Sequence, residues 1–206
     1  MSGRRGPATR HALMRLRRRI ERVRTASELL TRKRKALVEE LFRAARPAID
    51  ARRELERRAS EAFETLLHAE ADRGHAVLAA LGLPGREIGV ELRPIRTWGV
   101  VGTEIVSHDP IRRSPAERGT PAGSAGPAAT SAAAEFEELT EQVLHAASRD
   151  LRARRLAHAL AETSRRVNLL ERRVVPALAS EIARVEATLG EREREEQLQH
   201  RRLLRA

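Results

Sequence analysis

Leu16-Arg-Arg-Arg-Ile20-Glu-Arg-Val23-Arg-Thr-Ala-Ser27-Glu-Leu-Leu30 places apolar or small residues at alternating steps of four and three. The alternation continues through Arg34, Leu37, Leu41, Ala44, Ala48, Ala51, Leu55, Arg58 and Ala62. Eleven of the fourteen positions from Leu16 onward are apolar, against about six expected from composition. An average spacing of 3.5 keeps one stripe of an α-helix turned toward a partner helix, which is the seam of a coiled coil.

Upstream, Thr9 is the expected N-cap, and downstream Gly82 with Pro84 just beyond it marks the stop near Leu81. Pro47 lies inside this span and predicts a bend, because proline removes one helix hydrogen bond. Between 82 and 113 the helical period is lost. Ile88–Leu92 and Val100–Val106 are short and β-branched, and they predict a hairpin around an irregular turn at 93–99. Residues 114–134 are rich in Pro, Gly, Ser and Ala and predict a mobile linker.

A second helix follows, capped by Thr130 or Ser131, with Glu135, Glu137 and Glu138 favourably placed in its first turns. Its seam runs Leu139, Val143, Ala146, Asp150, Ala153, Ala157, Leu160, Thr163, Val167, Leu170 and Val174. It then slips by one residue to Leu178, Ile182, Val185 and Leu189, with Pro176 at the slip. Two such stripes bury each other most economically by folding back antiparallel. The expected fold is therefore all-α dominated, a long antiparallel two-helix coiled coil with a short β-hairpin and flexible insert in the middle. Its segments are a shaft helix at 1–81, a hairpin region at 82–113, a linker at 114–134 and a second shaft helix at 135–206.

Composition agrees with a thin, elongated fold. Aromatic residues are 2% of the chain and charged residues 33%, so side chains able to fill a thick core are scarce. Apolar residues at 41% are enough to line a stripe. With no cysteine, disulfides and thiolate metal sites are excluded. No window approaches the roughly 18 apolar residues of a membrane span. The start of the chain is Arg-rich without the apolar run of a signal peptide and reads as mature sequence. The formal charge of +11 is concentrated: residues 1–58 hold 19 basic and 7 acidic side chains, whereas 135–206 hold 14 and 13.

Motifs for chemistry are absent. The glycines at 82, 85, 89, 99 and 102 form neither a P-loop nor a dinucleotide fingerprint. The seven histidines include no pair four residues apart, so no metal ligand set and no cofactor is expected. Carboxylates interleave with arginine, as in Glu191-Arg-Glu-Arg-Glu-Glu196, the pattern of a solvated helix face. The basic run Arg15 to Arg24 and Arg32-Lys-Arg-Lys35 suits phosphates or an acidic protein surface. Only Trp98 and three Phe are present, too few for the stacking platforms of single-strand binders. A mechanical or docking element is the reading left, with a basic nucleic-acid-binding helical protein a weaker alternative.

Pro7-Ala-Thr-Arg10 followed by Leu13, Leu16, Ile20 and Leu29-Leu-Thr-Arg-Lys-Arg-Lys-Ala-Leu37 resembles the opening of the D subunit of the V-type and A-type ATPases. Thr163-Ser-Arg-Arg-Val-Asn-Leu-Leu-Glu171, Val175-Pro176, Ile182 and Leu189-Gly-Glu-Arg-Glu-Arg-Glu-Glu196 resemble that family's most recognisable stretch, and Ile88-Gly-Val90 resembles its short strand. Ser27 stands where the family usually carries glycine, and Lys35 where aspartate is usual. The resemblance implies a non-catalytic central-stalk rotor component of a proton- or ion-translocating rotary ATPase or ATP synthase. Implied partners are the catalytic and non-catalytic subunits of the head hexamer, a small central-stalk subunit and the cap subunit of the membrane ring. It also implies a cytoplasmic place peripheral to the membrane, with no direct span and no nucleic acid. Leu16, Ile20, Val23, Leu30, Leu37, Leu41, Leu160, Val167, Leu170, Val174, Leu178 and Ile182 would form the seam. Arg15, Arg19, Arg165, Arg166 and Asn168 would face the hexamer. A coiled-coil adaptor unrelated to rotation is the alternative reading.

Overall fold

Thr9 begins the first helix as its composition requires. Its hydroxyl accepts the Ala12 backbone N–H at 3.1 Å, satisfying one of the donors that a helix start leaves open. The computed structural model describes residues 8–81, 88–107, 110–114, 116–118 and 125–204. The expected stop at Gly82 and Pro84 and the middle of the Pro/Gly-rich stretch lie outside the described residues.

Helix α1 spans Arg10–Arg73 and runs on through Pro47. It ends eight residues before the expected stop, because Gly74 takes φ +82°, a left-handed conformation that terminates a helix and that glycine adopts without steric cost. Helix α2, His75–Leu81, follows. Strands β1, Val90–Thr97, and β2, Val100–Ser107, pair antiparallel from Val90↔Ser107 to Thr97↔Val100. The irregular seven-residue turn expected from the sequence is instead two residues, Trp98 and Gly99, both at positive φ (52° and 74°). That is the geometry of the primed turns, whose twist matches the flanking strands. Helix α3, Gly126–Leu169, leads into a π turn at Leu170–Val174 and then helix α4, Val175–Leu203.

The chain divides into two compact units, Met1–Ala36 with Leu160–Ala206, and Leu37–Ala159. In the first, α1 runs antiparallel to the π turn and α4. Arg10 meets Glu193 and Arg17 meets Glu186, each at 2.7 Å, and Ser27 meets Glu171 at 3.2 Å. Ile20, Val167, Leu178 and Val185 are buried between the helices. Leu16, Val23, Leu30, Leu160, Leu170, Val174 and Ile182 are half-buried.

In the second unit α1 again runs antiparallel to α3: Glu40 meets Arg152 at 2.7 Å, Arg58 meets Glu138 at 2.9 Å and Thr65 meets Glu135 at 2.6 Å. Leu37 and Leu156 are fully buried, and Leu41 is half-buried. The stripe on α3 departs from the expected one. Leu156 is buried while Ala157 and Val143 are exposed, because a leucine one position away removes far more apolar area from water than an alanine.

The start of α3 also differs from expectation. Composition places residues 126–134 in the linker, yet Ala129 and Ala132 are buried against Ala69, with Leu78, Ala125 and Ala128 packed around them. Small side chains suffice where helices approach closely. Thr130 therefore does not cap the helix; its hydroxyl donates to the Gly126 carbonyl at 2.9 Å inside it. Phe63 and Phe136 continue this contact edge to face, with ring centroids 5.4 Å apart.

Candidate functional surface

The unit formed by Met1–Ala36 and Leu160–Ala206 carries the one π-helical segment among the described residues. A regular α-helix repeats its seam every three or four residues, but Val174 and Leu178 cannot be followed by Ile182 and Val185 in the register of Val167 and Leu170 unless the chain takes an extra residue. The π turn supplies it: the Val175 backbone N–H reaches back five residues to the Leu170 carbonyl. Pro176 sits at the start of α4, where its missing N–H costs least.

Opposite the π turn the seam is polar. Ser27 is buried and donates its hydroxyl to Glu171 at 3.2 Å. Arg15, Arg19, Arg165, Arg166 and Asn168 are all exposed, on α1 and on the last turns of α3. Arg166 lies 3.9 Å from Glu162 on its own helix. The Met1–Ala36 and Leu160–Ala206 segments together hold 23 basic and 10 acidic side chains, so the whole positive excess of the chain belongs to this unit.

In Leu37–Ala159 one carboxylate organises the stretch that follows the hairpin. Glu137 is buried and accepts four bonds: the Arg113 backbone N–H and Nε at 2.9 Å each, and the Arg118 Nε and Nη2 at 3.1 and 2.9 Å. Burial alone would raise its pKa, but the bonds from Arg118 and Arg113 outweigh it and hold the carboxyl at about 2. Ile111 is buried beside this clasp, and Arg112 bridges Glu138 and Glu141 at 3.2 and 3.1 Å. The hairpin itself is tied to α3 by the Ile105 N–H, which donates to the Ser148 hydroxyl at 3.3 Å. Between the two lies a cavity of about 620 Å³ lined by Ile95, Ile105, Leu144, His145, Arg149 and Leu156, among others.

Sequence reasoning singled out neither Glu137 nor Glu171 as a paired group. Their partners lie 19 to 144 residues away, and nothing local distinguishes either carboxylate from its neighbours. The slip at Pro176 was visible as spacing, though not as a π turn. Among the described residues no group of three His, Cys, Asp or Glu could hold a metal ion, and no helix is long and apolar enough to cross a membrane.

The arrangement has a counterpart in known proteins. The sequence profile of the ATP synthase D subunit matches residues 12–203. The chain belongs to the ATP synthase D-subunit family. It is 37% identical over 199 residues to the V-type ATP synthase D subunit of Anaeromyxobacter dehalogenans strain 2CP-C, covering 96% of this chain and 95% of that one. With the A-type ATP synthase D subunit of Thermococcus sibiricus it shares 35% identity over 190 residues, 91% and 87% of the two chains. With the V-type ATP synthase D subunit of Thermus thermophilus it shares 32% over 197 residues, 95% and 86%. Family members from bacteria and archaea are thus similar to this chain over nearly its full length, with the π turn, hairpin and clasp inside the span that the profile matches.

Proposed function

We propose that this chain is the non-catalytic central rotor shaft of a V/A-type rotary ATPase or ATP synthase, carrying torque between the ATP-binding head hexamer and the ion-translocating membrane ring. Its partners in that role are the catalytic and non-catalytic head subunits, a small central-stalk subunit and the cap of the membrane ring, which places it in the cytoplasm, peripheral to the membrane. The observation that carries the reading is the π turn within an antiparallel helix pair, in a chain of the D-subunit family. A shaft transmits torque only if its cross-section is not rotationally uniform, because each nucleotide state of a surrounding ring must prefer a different angle. A pair of helices already has an uneven cross-section, and the extra residue at Leu170–Val174 on one helix with the polar Ser27–Glu171 contact beside it makes its two sides differ further at that height.

In this reading the seam residues keep the pair stiff, while Arg15, Arg19, Arg165, Arg166 and Asn168 face the hexamer. Replacing Arg165 and Arg166 together by Ala leaves helix content by circular dichroism unchanged and lowers ATP-driven rotation in the reconstituted complex. Rotation at the parent rate and torque in that variant counts against the assignment of these residues.

A further inference from the structure

Strands β1 and β2 present two unlike faces. Side chains alternate across a strand, so the pairing of Leu92 with Ile105 and of Arg96 with Val101 puts Val90, Leu92, Pro94, Arg96 and Val101 on one face. Ile95, Val100 and Val106 belong to the other, where they are half-buried and line the cavity against α3. On the first face Val90, Leu92 and Val101 are 43, 63 and 53% exposed, and Trp98 at the tip is 60% exposed. Apolar side chains scattered singly over a surface need no explanation, but four on one small hairpin form a patch.

Trp98 distinguishes this patch further. It is the only tryptophan of the chain and holds φ +52°, at a position where turns of this kind ordinarily place Asn, Asp or Gly. Among the described residues no other aromatic ring packs on it. A bulky side chain kept where it costs stability, and left largely uncovered by its own chain, points to a role outside that chain. Arg96 is the one charged side chain on this face, exposed and, among the described residues, without an ion pair.

We propose that this face of the hairpin is a docking surface for the small central-stalk subunit, which receives Trp98, Leu92 and Val101 in an apolar groove with an Asp or Glu at its rim opposite Arg96. The identity of the partner rests on the rotor reading. A shaft must break its contacts with a stationary hexamer at every step, and Arg15, Arg19, Arg165, Arg166 and Asn168 are polar and exposed, able to exchange such contacts for water. An indole seated in an apolar pocket of a stationary subunit would have to be withdrawn each time. A partner that turns with the shaft keeps it seated, and buried aromatic anchors carry a large share of the binding energy at protein interfaces. The cap of the ring also turns with the shaft, but it closes the shaft's end. Ser148, which holds the hairpin through the Ile105 N–H, lies about 30 Å along α3 from Gly126 at about 1.5 Å per residue, so the patch is on the flank of the helices.

The single tryptophan provides the probe. With 5-fluorotryptophan incorporated, the full chain has one fluorine resonance, and unlabelled partners add none. We expect the purified small stalk subunit to shift and broaden that resonance, and head subunits added afterwards to leave it in place. Trp98→Asn separates docking from folding: relief of strain should slow amide exchange in the hairpin, yet binding of the stalk subunit should weaken about ten- to thirtyfold. Leu92→Thr, on the same patch, should weaken it about three- to tenfold. Binding of the stalk subunit with an unmoved resonance and parental affinity in both variants overturns the docking surface and leaves the rotor reading standing. A resonance moved only by head subunits, only by the ring cap or by raising the concentration of the chain alone gives the patch to that occupant and overturns the assignment to the stalk subunit. Failure of the parent chain to bind any subunit of the complex overturns the rotor reading and this surface with it.

Discussion

Two residues carry more than their share of local order, and each makes a prediction. Glu137 holds Arg113 and Arg118, whose side chains are 28% and 9% exposed. Glu137→Gln keeps the shape and removes the charge, leaving both guanidiniums without their counter-ion, and should cost about 2–4 kcal/mol in urea unfolding. The same group sets an acid limit. Its carboxyl is held at about 2 against an ordinary 4.5, so its stabilisation is complete above about pH 4.5 and is lost as pH falls toward 2. A pH series of melts should show that acid loss in the parent chain and a smaller one in the variant. At the hairpin tip Trp98 holds φ +52°, which bulky side chains rarely adopt. Trp98→Asn should slow amide exchange across residues 90–107, because asparagine tolerates this conformation at lower cost; Gly99→Ala should speed it.

At the level of elements, the π turn and the alanine-lined start of α3 decide where the helices meet. Deleting Arg172 takes one residue out of the π turn and shortens the step from Leu170 to Val174 from four residues to three, which offsets the extra residue between Val174 and Leu178. The expected outcome is undiminished helicity and a melting temperature no lower than the parent's, because a π turn has poorer hydrogen-bond geometry than the α turn that replaces it. In the reconstituted complex the same deletion should reduce rotation, since stiffening the pair also shifts everything C-terminal to it along the helix. Within Leu37–Ala159, Ala132 is 4% exposed against Ala69. Ala132→Leu should cost about 1–3 kcal/mol by overpacking, read as a lower urea midpoint with no loss of slope.

For the whole molecule the asymmetry of charge matters more than its total. Met1–Ala36 with Leu160–Ala206 holds 23 basic and 10 acidic side chains, and Leu37–Ala159 holds 17 and 19. Long-range attraction to an acidic partner therefore acts on one unit alone, and it is screened beyond about 10 Å at 0.1 M salt. Association with head subunits, followed by stopped-flow fluorescence, should slow on the order of tenfold between 50 and 300 mM salt. Charge changes confined to Leu37–Ala159 should leave that dependence in place.

The spacing from Leu16 to Ala62 and from Leu139 to Leu189 was enough to specify two long helices and, for most of their length, the face each buries, because helical periodicity is a local property that a pair of stripes must share. The Thr9 cap, the hairpin and the irregularity near Pro176 were legible for the same reason: each is written in a few neighbouring residues. The start of α3 at Gly126 was not, since Ala129 and Ala132 become core residues through the approach of Ala69 and not through their own size. Packing across the chain also selects which carboxylates matter. Glu137 and Glu171 look like any other glutamate on a charged helix until folding brings Arg113, Arg118 and Ser27 to them. Periodicity reports which face is apolar; whether a polar group on that face is paired and buried, as Ser27 is, depends on contacts between residues far apart in the chain.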